Sequence, residues 1–138
     1  MDAMSPQDRG HLATLIVTLL GNWGLSLNDQ VRLLGMPAGT RARSMRRHFE
    51  GEPLPDDPGV NERIEHLVGI ADALRTSYPQ NPQMGPIWMN RANRHLNGRT
   101  PVAVMVEDDL QGILAVRKEL DCAFGWSVDE ARQDADAR

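Results

Sequence analysis

The amino-acid sequence predicts an all-α protein, with a helix-turn-helix lobe at the N-terminal side and a second small helical lobe after it. Three observations carry that expectation. No segment alternates apolar and polar residues between turn signals, as a half-buried strand would. Apolar residues recur instead at helical spacing through most of the 138 residues. Aromatic residues make up only 4% of the chain, which favours small helical packing over stacked sheets. This length suits one compact domain or two small lobes that share a core.

The elements follow in order. Leu12, Leu15, Ile16, Leu19 and Leu20 form a first apolar stripe, which Gly21 and Gly24 interrupt. Ser26, with Asp29 three residues on, reads as a capping box opening a short helix that turns Leu27, Val31 and Leu34 inward. Gly35, Met36 and Pro37 make a turn, and the spacing of Ala38, Ala42, Met45 and Phe49 predicts a further helix over 38–50. Residues 51–58 are rich in proline and acid and read as a rigid, exposed connector. Asp57 and Pro58 then supply the cap and first turn of the longest stripe: Val60, Ile64, Leu67, Val68, Ala71 and Leu74.

A loop over 79–86 precedes a helix whose apolar face begins at Met84, Ile87, Trp88 and Ala92. Gly98 fits the left-handed position past that helix, Thr100 can cap the next one, and Pro101 suits its first turn. Val102, Met105 and Val106 make a short helix. Asp108 or Asp109 can cap a last one carrying Leu110, Ile113, Leu114 and Leu120. Residues 129–138 lack apolar anchors and read as a flexible tail.

Net charge is −4, but its distribution matters more. Arg41, Arg43, Arg46 and Arg47 fall within seven residues that contain no acid, whereas from residue 102 onward nine acids face four bases. A basic patch and an acidic end point to two different partners. With the apolar positions of 38–50 turned inward, Thr40, Arg43, Ser44 and Arg47 face out, flanked by Arg41, Arg46 and His48. Arginine can give two hydrogen bonds to one guanine edge, and flanking arginines can hold phosphates. Thr40, Arg41, Arg43, Ser44, Arg46 and Arg47 are therefore the candidate DNA contacts. A homodimer or larger assembly on paired half-sites is the matching expectation.

Other classes find little support. His11, His48, His66 and His95 are scattered without metal-ligand spacing, and neither a phosphate loop nor a dinucleotide fingerprint is present, so no metal, cofactor or enzymatic role is expected. Cys122, the only cysteine, permits no internal disulfide; it sits beside an apolar stripe and suits a reducing compartment. The apolar run over 12–20 is too short for a bilayer and lacks the flanks of a secretion signal. A cytoplasmic binding protein with no membrane role is expected.

The order and spacing of several residues add a family. Leu54 and Asp56 are followed by Arg63-Ile64-Glu65-His66-Leu67-Val68-Gly69-Ile70 and Leu74-Arg75. Trp88, Asn93, Leu96, Gly98, Thr100-Pro101 and a closing helix over 110–121 complete the series. From about residue 12 to 125 the chain resembles the Xre/MbcA/ParS-type antitoxins. The resemblance implies an Xre-like helix-turn-helix region over 10–78 that binds the operon's own promoter. It implies a toxin-binding domain over 79–128 that inhibits a RES-domain toxin, an NAD-consuming enzyme. On that reading Arg99, Asp108, Asp109, Glu119 and Asp121 are candidate toxin contacts, while Trp88, Gly98 and Pro101 are structural. Two departures stand out: Asp108-Asp109 occupies a turn where members often have glycine, and the acidic tail is long. The alternative is a dimeric helix-turn-helix regulator without a toxin partner.

Overall fold

The computed structural model describes residues 4–136, with side chains as far as residue 122. Among the described residues the regular structure is helical throughout, with no strand. The helices are α1 (Pro6–Asn22), α2 (Leu27–Leu33), α3 (Met45–Phe49), α4 (Pro58–Ser77), α5 (Met84–Met89), α6 (Pro101–Glu107) and α7 (Asp109–Asp136). Short 3₁₀ turns precede α3 at Ala42–Ser44 and interrupt the α5–α6 connection at Arg94–Leu96.

The starts of these helices follow local chemistry. Ser5 and Ser26 cap α1 and α2 by accepting from the N–H groups of Asp8 and Asp29 at 3.1 and 3.2 Å. One Asp57 carboxylate oxygen accepts from the N–H groups of both Gly59 and Val60, and Pro58 fills the first position of α4. Thr100 caps α6 through the Ala103 N–H at 3.1 Å, with Pro101 next to it. Each device satisfies amide donors that a helix start leaves unpaired.

One hydrophobic core runs from Ala13 to Leu120 and joins the two halves of the chain. Its main contacts are α7 against α4 and α6, with α1 against α3 and α2 against α6. The helix faces differ from the expected stripes in places. On α1 the buried set is Ala13, Ile16, Val17 and Leu20, whereas Leu15 is 58% exposed. Small residues cause this rotation. A Cβ at Gly10 would collide with the Gly51 carbonyl oxygen, so α1 approaches the chain through its least bulky face. On α4 Ile70 is buried, and on α7 Val116 joins Ile113 and Leu120. The connector over 51–58 is anchored as well: Leu54 is buried, and its carbonyl accepts from Arg9 Nη2 at 3.0 Å.

Two expected helices are redrawn. Residues 38–41 are not helical, and the element expected over 38–50 starts as the 3₁₀ turn, becoming α-helical only at Met45. Gly39 has a φ of 85°, and the Thr40 and Ser44 hydroxyls donate to the carbonyls of Pro37 and Arg41, both at 2.6 Å. Such local bonds compete with helical ones. The inward positions shift accordingly: His48 is buried beside Met45, while Ala38 is exposed and Phe49 is 52% exposed. Likewise the single helix expected to run from Trp88 to the Gly98 stop ends at Met89.

At the other end, α7 continues through Asp136, so its last turns include most of the segment expected as a flexible tail from residue 129 onward. Glu130, Ala131, Arg132, Gln133 and Ala135 are good helix formers, and neither glycine nor proline interrupts them. Positions 137 and 138 lie outside the described residues.

The tightest helix crossing is at Gly112. A Cβ there would fall on the Val104 carbonyl oxygen, which already accepts the Asp108 N–H at 2.9 Å. We expect Gly112→Ala to lower stability by about 1–3 kcal/mol, the usual cost of overpacking. Gln111→Ala, one residue earlier on the exposed side of α7, should change it by less than about 0.5 kcal/mol. Chemical denaturation of both variants measures the difference.

Candidate functional site

The first candidate surface forms where the α2–α3 connection folds back toward the connector. Thr40, Arg41, Arg43, Ser44 and Arg47 line one open depression, which Pro37 and Pro55 border. All four arginines of the cluster are exposed, and among the described residues none has a carboxylate partner. Five of the six expected DNA contacts are thus brought together. Arg46 is the exception: it points toward an apolar groove lined also by Val17, Leu27, Met45 and Phe49. Thr40 and Ser44 hold the turn with their protons, so toward a ligand they offer oxygen lone pairs rather than donors.

His48, expected on the flank, supports this surface from beneath. It is 7% exposed, and its Nδ1 lies 2.9 Å from the Glu52 carbonyl oxygen, which ties the end of α3 to the connector. Gln30, absent from the sequence reading, is 3% exposed and donates to the Leu25 carbonyl at 3.2 Å. No periodicity argument selects a buried polar residue of this kind.

The second surface lies around the corner between α5 and α6. The Asn93 N–H donates to the Arg99 carbonyl and the Gly98 N–H to the Asn93 carbonyl, at 3.0 and 2.9 Å, closing a tight loop. Asn97 and Gly98 both take left-handed backbone conformations, with φ of 59° and 79°. Gly98 therefore sits where expected, although it closes this loop rather than ending a long helix. Pro101 is buried, and Trp88 is half-buried beside fully buried Met89. Among the described residues the fully enclosed tryptophan is Trp23, whose carbonyl accepts from Asn90 Nδ2 at 2.8 Å.

The five expected toxin contacts separate into different environments. Arg99 makes a fork to Asp108, Nη1 to Oδ2 at 2.8 Å and Nη2 to Oδ1 at 3.2 Å, and reaches Glu107 Oε2 at 2.6 Å. Hydrogen bonds donated to Asp108 first and Glu107 second push the Arg99 pKa upward, and the same fork holds the Asp108 carboxyl below its ordinary value. Asp109 accepts from Arg63 Nη2 at 2.8 Å and Nε at 3.2 Å. It takes a φ of 57°, the left-handed conformation that a glycine would adopt more easily. Glu119 and Asp121 lie on α7 two residues apart, about 200° around the helix, so they do not share an edge with each other. Arg63 was legible only as part of a motif. Its role as the brace between α4 and the start of α7 needs residues 46 positions apart.

Comparison with known proteins fits this second half. Residues 81–124 match the family model of the antitoxin Xre/MbcA/ParS C-terminal toxin-binding domain. An uncharacterized protein, y4oB, of Sinorhizobium fredii (strain NBRC 101917 / NGR234) is 31% identical over 103 residues, covering 75% of this chain and 76% of that protein. The family match defines residues 81–124 as the toxin-binding domain of an antitoxin. The chain belongs to the Xre/MbcA/ParS antitoxin family, and its role is that of the antitoxin in a toxin–antitoxin system. No single described helix is long and apolar enough to cross a membrane.

Two outcomes follow from this geometry. Asp108 should titrate below the ordinary carboxylate value, and Arg99→Gln should return it there, as followed by carboxyl NMR shifts. Because the folded-state value is the lower one, the fork contributes fully above the ordinary value and is lost as pH falls through the lowered one. Gly98→Val should destabilise the corner by about 1–2 kcal/mol through its left-handed backbone, since a Cβ there meets nothing within 4 Å. A Gly98→Ala variant showing no loss in thermal melts would contradict the strain argument.

Proposed function

We propose that this antitoxin neutralises a RES-domain, NAD-consuming toxin through its second half and represses its own operon through its first. The observation that carries the reading is the contrast in charge compensation. In the second half three neighbouring acids are taken up, two by Arg99 and one by Arg63 reaching over from α4, while in the first half four arginines stand together without any acid partner. Unpaired guanidinium groups around a depression suit phosphates and guanine edges, and their affinity should depend steeply on salt.

On this reading α2, the 3₁₀ turn and α3 act together as a helix-turn-helix reader. Arg41, Arg43 and Arg47 meet DNA, with Thr40 and Ser44 shaping the turn. Arg46 sits at the margin. A short reader touches few base pairs, so two copies on adjacent half-sites would supply affinity and register. Inhibition requires only that a toxin's cleft be covered, so the antitoxin needs no catalytic group. The protein acts in the cytoplasm, where both promoter and toxin are found.

The test has two arms. Cells making the toxin encoded beside this chain should lose NAD, and co-expression of the chain should prevent that loss. Equal NAD loss with soluble antitoxin present would refute the toxin assignment. In promoter binding, Arg43→Ala or Arg47→Ala should cost about 1–3 kcal/mol where the side chain reads a base. Where it holds a phosphate, the variant should lower the salt slope by about one unit. Unchanged promoter affinity in the double variant would move the reader elsewhere.

A further inference from the structure

Within the matched toxin-binding domain, two of the four acids expected to meet a partner, Asp108 and Asp109, are occupied by the chain itself, as is their neighbour Glu107. Glu107 and Asp108 are bound by Arg99, and Asp109 by Arg63. At the corner itself, before those acids, the uncompensated charges are basic, whereas Glu119 and Asp121 stand apart on α7. Arg91 and Arg94 are exposed, and among the described residues neither has a carboxylate partner. Just before them Ile87 is 42% exposed, next to half-buried Trp88.

The backbone carrying these side chains is held firmly. Met89, at 0% exposure, anchors the end of α5 in the core. Asn90 Nδ2 donates to the carbonyls of Trp23 and Pro86, both at 2.8 Å, and the Asn93–Arg99 bridge closes the segment behind Arg94. A preorganised segment loses little conformational freedom when it docks.

We infer that the segment from Ile87 to Arg94 is the docking edge for the toxin, and that it fits an acidic protein surface with an apolar spot at its centre. The inference rests on the toxin-binding reading of this domain and specifies its partner chemistry. Charge complementarity selects the occupant: two unpaired arginines call for carboxylates or phosphates, and Ile87 selects between them. An exposed isoleucine beside a tryptophan gains from apolar protein surface and nothing from a phosphate backbone. Arginine and tryptophan, here Arg91, Arg94 and Trp88, are also among the residues that concentrate binding energy at interfaces.

The experiment uses the full chain and a catalytically disabled form of the toxin encoded beside it, with affinity measured by calorimetry at two salt concentrations. Arg91→Glu with Arg94→Glu should raise the toxin Kd by about tenfold or more and reduce its salt dependence. Promoter affinity should be unchanged. Arg91→Lys with Arg94→Lys should retain most of the toxin affinity, and Ile87→Asp alone should weaken it. Unchanged toxin affinity in the Glu variant, with wild type binding, overturns this assignment while leaving the toxin-binding reading intact. So does loss of promoter affinity with toxin binding preserved, which would assign the edge to nucleic acid. Failure of the wild-type chain to bind the toxin removes the toxin-binding reading itself, and this edge with it.

Discussion

Helix α7 organises the molecule because it runs too close to its neighbours to be displaced by small adjustments. At Gly112 its backbone lies against the Val104 carbonyl of α6, with no room for a side chain between them. One and a half turns further on, Arg117 crosses to α4, where its guanidinium covers Gly69 and Nη1 lies 2.9 Å from His66 Nδ1. Arginine can only donate, so His66 must present an unprotonated Nδ1 and carry its proton on Nε2. Arg63, reaching from α4 to Asp109, secures the first residue of the same helix. Three contacts along the first third of one helix therefore set how α4, α6 and α7 are arranged.

That arrangement also decides which charges face outward. An exposed ion pair contributes little to stability, because water already solvates both partners well. Its larger effect here concerns the field. When Arg99 and Arg63 pair with Glu107, Asp108 and Asp109, three negative charges in the acidic run are reduced to a net of one. Arginines elsewhere in the chain then dominate the outward potential in their own neighbourhoods, and such potentials govern encounter rates and choice of partner. The proposed binding of two partners would use this separation of charge while the net charge remains slightly negative.

Several features were legible because their physics is local. Ser26, Asp57 and Thr100 cap helices, and Pro58 and Pro101 occupy first turns, because each needs only a side-chain oxygen or a missing N–H within three residues. Gly98 was legible as a left-handed position for the same reason, although its immediate setting was not. The apolar stripe of α4 was read nearly as it stands. Face assignments failed where small residues decided them, as on α1, or where turn chemistry displaced the helix start. At residues 38–50 the hydroxyls of Thr40 and Ser44 turned back onto the chain. Met45 still turns inward, but His48 takes the interior place expected of Phe49.

The sequence by itself determined the helical class, the order of the elements, most of their starting points and the acid-free arginine cluster. It also carried the spacing by which the family is recognised. These depend on periodicity, capping and composition, which act over a few residues. Only the tertiary structure decided that Arg99, Asp108 and Asp109 are engaged internally, that Arg46 parts from its three neighbours, and that Arg91 and Arg94 are left uncompensated. Ion pairing is decided by distance in space. Arg63 and Asp109 are 46 residues apart in the chain and 2.8 Å apart in the fold, and no pattern of residue types specifies that meeting before the helices have packed.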